Sequence, residues 1–323
     1  MKNSKKLFIL IESVLAVLVI IVAILMVQEK NGRALYKVSV IIQNSDDNQW
    51  SAFKYGLKMA AEDQKIEMYV VNTGEELSVE DEKRIIESEI DNGADAVIVQ
   101  PVSDAEEMLE KIRSKIPVML VECSASEERT SAGIPVTAPD NYAMGVTLAE
   151  ELLKDYEGKI NDKKIGLLSK TDDSEVVTDR ERGFKDALKD AGAQISWSIS
   201  EASFTEDREA FLEDQPGVDY VIALDDESLT RAGECAAANN LHGALVYGIG
   251  YSTEAVYYLD TGVVECLVVP DGFNVGYQSL TEVAENLEKY FGKLQNREIS
   301  YMAMRRDTLF TKENQEVLFT MSQ

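Results

Sequence analysis

The chain has 323 residues, of which 45% are hydrophobic, and sets 32 Lys and Arg against 58 Asp and Glu for a formal net charge of −26. That is enough apolar material for two domains and excludes a disordered chain, while so acidic a surface argues against nucleic acid and anionic lipid headgroups as partners. A single histidine and three cysteines without metal-ligand spacing exclude a Cys/His zinc centre, and the cysteines read as free, buried fillers.

The first element is the apolar run at 7–27, LFILIESVLAVLVIIVAILMV, behind the basic start MKNSKK. At ~1.5 Å per residue such a helix covers the ~30 Å hydrocarbon core of a bilayer. The run exceeds an ordinary signal-peptide core, no Ala-x-Ala-like site follows it, and no cysteine near its end offers lipid attachment. The expectation is an uncleaved transmembrane anchor with residues 1–6 inside, 28–36 as linker and the remainder extracytoplasmic.

From Lys37 onward, short apolar runs alternate with helical patterns. KVSVII (37–42) reads as a strand, and the helix after it carries Phe53, Leu57, Ala60 and Ala61. Then come EMYVV (67–71), a helix with Ile85, Ile86 and Ile90, DAVIV (95–99), a helix with Met108, Leu109 and Ile112, and PVMLV (117–121). The order restarts at KIGLL (164–168), with a helix carrying Phe184, Ala187 and Leu188. ISWSI (195–199), DYVIAL (219–224), ALVYGI (244–249) and VECLVV (264–269) follow, separated by helices. Continuous apolar runs imply parallel strands covered on both faces, hence two doubly wound α/β units joined near 138–142. The long amphipathic helix with Val275, Leu280, Val283 and Leu287 could belong to either unit on pattern alone.

In open parallel sheets, ligands gather beyond the carboxyl ends of the strands. That rule selects Trp50 in NSDDNQWSAFKYG (44–56), Glu122, Asp225, Gly250 and Tyr251. An indole among hydrogen-bonding groups suits a ligand both apolar and hydroxylated; the plainer reading is a loop residue. For Asp225 the plainer reading is a cap on the helix that follows. GIG (248–250) is too short for a phosphate loop.

GADAVIVQPVSDAE (93–106), IPVMLVE (116–122), APDNYAMG (138–145), RERGF (180–184) and VIALDDESL (221–229) resemble, in order, stretches of periplasmic binding proteins of the ribose/galactose type. Related repressors begin with a DNA-binding helix-turn-helix, whose place the apolar run takes here. The resemblance implies two lobes hinged by three crossings, lobe 1 being 37–139 plus 271–299 and lobe 2 being 140–270 plus 300–323. Such a molecule closes on a small polar ligand, usually a sugar, with no cofactor, metal or catalytic residue. By position, Trp50 and Phe204 would stack on a sugar ring, Arg180 would donate to ligand oxygens, and Asp47 and Asp225 stand where amides bond hydroxyls. Glu122 and Tyr251 would line the cleft, and Asp140, Asn141, Pro270 and Asp271 would hold the hinge. Glu122-Cys123 replaces an Asp-Arg pair, Gly250 an aspartate and Pro270 a glutamine, a departure from a ribose pocket.

The implied function is a membrane-tethered extracytoplasmic solute-binding protein that reports occupancy to an ABC transporter or a sensor kinase. Two other readings stay open: an interaction module with a vestigial cleft, and a hydrolase using carboxylates such as Asp225, Asp226 and Glu122, for which no spacing singles out a pair.

Overall fold

The computed structural model describes residues 15, 17–20, 35–74, 77–124, 133–158, 160–171, 174–200, 212–289 and 292–322. The chain divides into two compact units, Met1–Tyr36 and Lys37–Gln323. In the first, Leu15 and Val17 to Ile20 are helical and exposed; most of the 7–27 run lies outside the described residues. Among the described residues, no helix is long and apolar enough to cross a membrane.

The second unit holds two six-stranded sheets. The first contains β1 (Lys37–Ile41), β2 (Glu67–Val70), β3 (Ala96–Val99), β4 (Val118–Val121), β5 (Val136–Pro139) and β11 (Arg297–Ile299). Its order is β2-β1-β3-β4-β5-β11, with every pairing parallel. The second contains β6 (Lys164–Ser169), β7 (Gln194–Ser200), β8 (Tyr220–Ala223), β9 (Leu245–Ile249), β10 (Val264–Pro270) and β12 (Tyr301–Met304). It repeats the order as β7-β6-β8-β9-β10-β12, with β12 antiparallel to β10. Strands β5, β11 and β12 are additions to the sequence reading: each is only three or four residues long, and β5 and β11 also carry polar residues.

The apolar runs are continuous because each strand is covered on both faces. In β3, Ala96 and Ile98 meet α1 (Ser51–Gln64) and α8 (Gly272–Glu288). Val97 and Val99 join the core formed with α2 (Val79–Asp91) and α3 (Glu106–Arg113). The second sheet repeats the arrangement, with Tyr220 and Ile222 against α4 (Asn141–Lys154) and α5 (Glu175–Ala187). On its other face Val221 and Ala223 pack with α6 (Asp226–Ala237), α7 (Thr253–Thr261) and α9 (Lys312–Met321). Each fully buried Val, Leu or Ile contributes about 1.5–3 kcal/mol, so these four clusters are what hold the unit together. The three cysteines are buried and form no disulfide. His242, at φ 54, and Gly243, at φ 84, form a turn.

The long helix with Val275, Leu280 and Val283 is α8, and it belongs to the first sheet. It crosses α1 at very close range: a Cβ on Gly56 would lie 2.0 Å from the Phe273 carbonyl oxygen, and one on Gly276 would lie 2.1 Å from that of Phe53. α4 and α5 cross the same way, Gly145 against the Arg180 oxygen at 2.0 Å and Gly183 against that of Tyr142 at 2.0 Å.

The chain passes between the sheets after β5, after β10, and between β11 and β12, where Ser300 alone intervenes. At the first two passages Asp140 and Asp271 cap α4 and α8, accepting the Ala143 and Asn274 amides at 2.9 and 3.0 Å. The Asp271 N–H donates to the Ser300 carbonyl at 3.1 Å, tying the second passage to the third. Pro270 ends β10 opposite Tyr301. Helix α9 buries Val317 and Met321 in the second lobe's core and also packs on α1 and α8 of the first.

Candidate functional site

The loops that follow the strand tips of the two sheets meet across one cleft. On the first lobe, the loop after β1 is braced by its own groups. Asp47 accepts the Gln49 amide at 2.9 Å and the Asn44 side-chain amide at 3.1 Å. The Trp50 indole N–H donates to the Gln43 carbonyl at 3.0 Å, and its ring meets Phe53 edge-on at 5.5 Å. Trp50 is only 4% exposed and belongs to the first lobe's core. The group this loop offers across the cleft is the Gln49 amide, whose oxygen accepts the Tyr251 hydroxyl of the second lobe at 3.4 Å.

Glu122 follows the end of β4, held at φ 48, and then Cys123 and Ser124 are buried. The Ser124 hydroxyl donates to the Glu175 carbonyl of the second lobe at 3.4 Å. Among the described residues, the Glu122 carboxyl has no hydrogen-bond or ion-pair partner.

On the second lobe, Arg180 is 3% exposed on α5. Its Nε donates to Asn141 Oδ1 at 2.9 Å and its Nη1 to the Leu224 carbonyl at 3.0 Å, both neutral acceptors. Asn141, expected at the hinge, therefore also orients the guanidinium. Asp225 is spent on backbone: Oδ1 accepts the Ser228 amide at 2.9 Å as helix cap and Oδ2 the Lys170 amide at 2.8 Å. Asp226 is buried, and its Oδ1 takes the Tyr251 and Ser252 amides at 2.6 and 2.8 Å. Gly250 permits this approach, because a Cβ there would lie 2.8 Å from that oxygen.

Electrostatics bind these groups into one neighbourhood. Burial pushes the Glu122 carboxyl above its ordinary range, against the pull of Arg180. Burial, then Glu122 and Asp226, push the Tyr251 hydroxyl well up, with Arg180 opposing. Burial likewise raises Asp226, against the amides it accepts. At the rim, burial works against the Lys170 ammonium, but its ion pair with Glu227 and the charges of Asp225 and of Asp47 across the cleft outweigh it.

The structure thus brings together Glu122, Arg180 and Tyr251, with Asp47 facing Lys170 at the mouth. Trp50 lies in the core and Asp225 in a capping role, while Phe204 lies outside the described residues. Sequence reasoning missed Gln49, Ser124, Lys170 and Asp226 as cleft groups. Asp226 was nominated only as a hydrolytic carboxylate, and nothing in the doublet Asp225-Asp226 says which one caps the helix. Among the described residues, no group of His, Cys, Asp and Glu could hold a metal ion.

Residues 38–292 match a family model described as "Periplasmic binding protein domain". No curated protein sequence matches the chain. Among solved structures, a glucose-galactose binding protein from Geobacillus stearothermophilus superposes with a TM-score of 0.73 at 19% identity, covering 86% of this chain and 100% of that one. A carbohydrate transporter solute binding protein from Agrobacterium radiobacter, in complex with D-arabinose, gives 0.76 at 15%, covering 89% and 100%. The XylFII-LytSN complex gives 0.71 at 14%, covering 85% and 99%.

Proposed function

Since the chain belongs to the periplasmic binding protein domain family, a family of binding proteins and not of enzymes, we propose that its two lobes close on a small, neutral, hydroxylated ligand, a sugar or sugar-like molecule. The observation that carries this reading is the opposite charge of Glu122 and Arg180, one on each lobe, which act on each other without a direct bond among the described residues. A buried guanidinium without an anionic hydrogen-bond partner is costly, and so is a partly buried carboxyl without a donor. A polyol between them supplies hydroxyl donors to Glu122 and hydroxyl acceptors to the Nη2 of Arg180, which bonds no other described residue. Opposite charges on the two sides favour a neutral ligand over a charged one. Ligand contacts made to both lobes at once exist only in the closed form, and that differential affinity drives closure.

In this reading the 7–27 run tethers the binding unit outside the membrane, and closure is reported to an ABC transporter or a sensor kinase. Neighbours solved as a carbohydrate transporter component and as a two-protein complex support such partners. The withdrawal of Trp50 and Asp225 from the cleft favours a second reading, an interaction module whose cleft is vestigial.

A thermal-shift screen against D-galactose, D-glucose, D-arabinose and D-xylose separates the two. A ligand present at a hundred times its Kd stabilises the chain by about 2.7 kcal/mol, and Arg180→Lys should lose most of that gain. No shift with neutral sugars, polyols or nucleosides overturns the solute-binding reading and leaves the interaction module.

A further inference from the structure

Two contacts bridge the cleft directly, between groups that carry no charge. The Tyr251 hydroxyl donates to Gln49 Oε1 and the Ser124 hydroxyl to the Glu175 carbonyl, each at 3.4 Å. Both are long for O–H···O bonds, so neither is strong by itself. What distinguishes the first is how each end is held by its own lobe. The Tyr251 ring packs on the second lobe's core, and its N–H donates to Asp226 Oδ1 at 2.6 Å. The next residue, Ser252, gives its N–H to the same oxygen at 2.8 Å and caps α7 by accepting the Ala255 amide at 3.1 Å.

Gln49 lies in the short turn Asn48–Trp50, between two anchors. Its backbone N–H is taken by Asp47 at 2.9 Å, and Trp50 beside it is buried in the first lobe's core with its indole bound to the Gln43 carbonyl. The Gln43 N–H in turn donates to the Gln100 side chain, just past β3, at 2.8 Å. The Lys54 ammonium closes the loop from the other side, on the Ser45 carbonyl at 3.0 Å. None of these bonds draws on the opposite lobe, so both backbones are in place before the lobes meet and little ordering is left to oppose the contact.

We propose that Tyr251 and Gln49 form a clasp that closes the lobes on an empty cleft, so that this pair sets the resting balance between open and closed forms. This rests on the reading that the lobes open and close around a solute, and holds whether or not the solute is a sugar. Ser124 and Glu175 add a second point of contact, on the loop after β4 and the head of α5, and so keep the closed lobes in register. A ligand that binds only the closed form then has an apparent affinity that scales with the fraction already closed. Tyr251 and Gln49 thereby tune the affinity for any occupant through the balance itself, in addition to whatever contacts they make with it.

Electron–electron distance measurements on the full chain, without added sugar, test the clasp. Spin labels go on Glu110→Cys in α3 and Glu254→Cys in α7, both exposed positions, while the native cysteines are buried. The parent should show a shorter distance, that of the present structure, beside a longer one. Tyr251→Phe keeps the ring in the core and removes only the hydroxyl. It should lower the ratio of short to long by about two- to tenfold, the worth of one net hydrogen bond. Gln49→Ala should do the same, and the two changes together should go no further than either alone. At a single pH, hydrogen–deuterium exchange on the peptides carrying Gln49 and Tyr251 should quicken in these variants. A parent that shows only the longer distance, or variants whose distances match the parent's, overturn the clasp. A chain that binds no sugar yet opens on loss of the hydroxyl defeats the sugar reading alone; one that closes only when a sugar is added defeats the clasp alone.

Discussion

Arg180 owes its position to two neutral oxygens, one from a side chain at the first interlobe passage and one from the end of β8. Asn141→Ala removes the acceptor for Nε, and a buried charged donor left bare costs about 1–3 kcal/mol. The urea midpoint should fall by a corresponding amount, and ligand affinity should fall as well, because the fork is no longer aimed. Asp226 gives a test with the opposite sign. Burial raises its carboxyl in the folded chain, so its stabilising contribution is full below the unfolded value and is lost as pH rises through the folded one. Asparagine keeps an oxygen for the Tyr251 and Ser252 amides without the charge. Asp226→Asn should therefore raise the urea midpoint at neutral pH and leave it unchanged in acid. Such roles were only partly legible beforehand. The residue types at the strand tips follow from pattern, but whether a carboxylate faces ligand or backbone depends on bonds to residues distant in sequence. The Asp225–Lys170 bond spans 55 positions, and no local pattern announces it.

Among the elements, the α4–α5 crossing matters most for the cleft, because the carbonyl that Gly145 faces belongs to Arg180 itself. Gly145→Ala must push α5 outward, costing about 1–3 kcal/mol for overpacking and carrying the guanidinium with it. Gly56→Ala at the α1–α8 crossing is the matched control: it should cost similar stability by urea titration while leaving Arg180 in place. Periodicity predicted these helices, since their buried stripes recur at helical spacing. Strands β5 and β11 escaped it, because pairing with neighbours, and not apolar content, makes them strands: Thr137, Pro139, Arg297 and Glu298 lie within them; β12 is apolar but only four residues long.

Across the whole binding unit, the doubly wound order could be read because parallel strands buried on both faces must be apolar throughout, and that survives in the sequence as uninterrupted runs. The lobe of α8 could not be read from pattern, while the resemblance assigned α9 to lobe 2 and gave no sign that it also packs on the first lobe. Its burial against both gives a further test. Met321→Ala should cost about 2–5 kcal/mol as a core truncation. If α9 also braces the lobes against each other, the same change should speed exchange at the Gln49 and Tyr251 peptides beyond what global unfolding explains.

The one-residue link at Ser300 carries its own mechanical implication. A single peptide, pinned by the Asp271 amide, cannot stretch or slide, so it acts as a pivot rather than a tether. Motion of one half against the other is confined to a swing about that point, and small changes at the strand tips become large displacements at the far rims. A partner gripping those rims would read occupancy as an angle, without ever touching the solute.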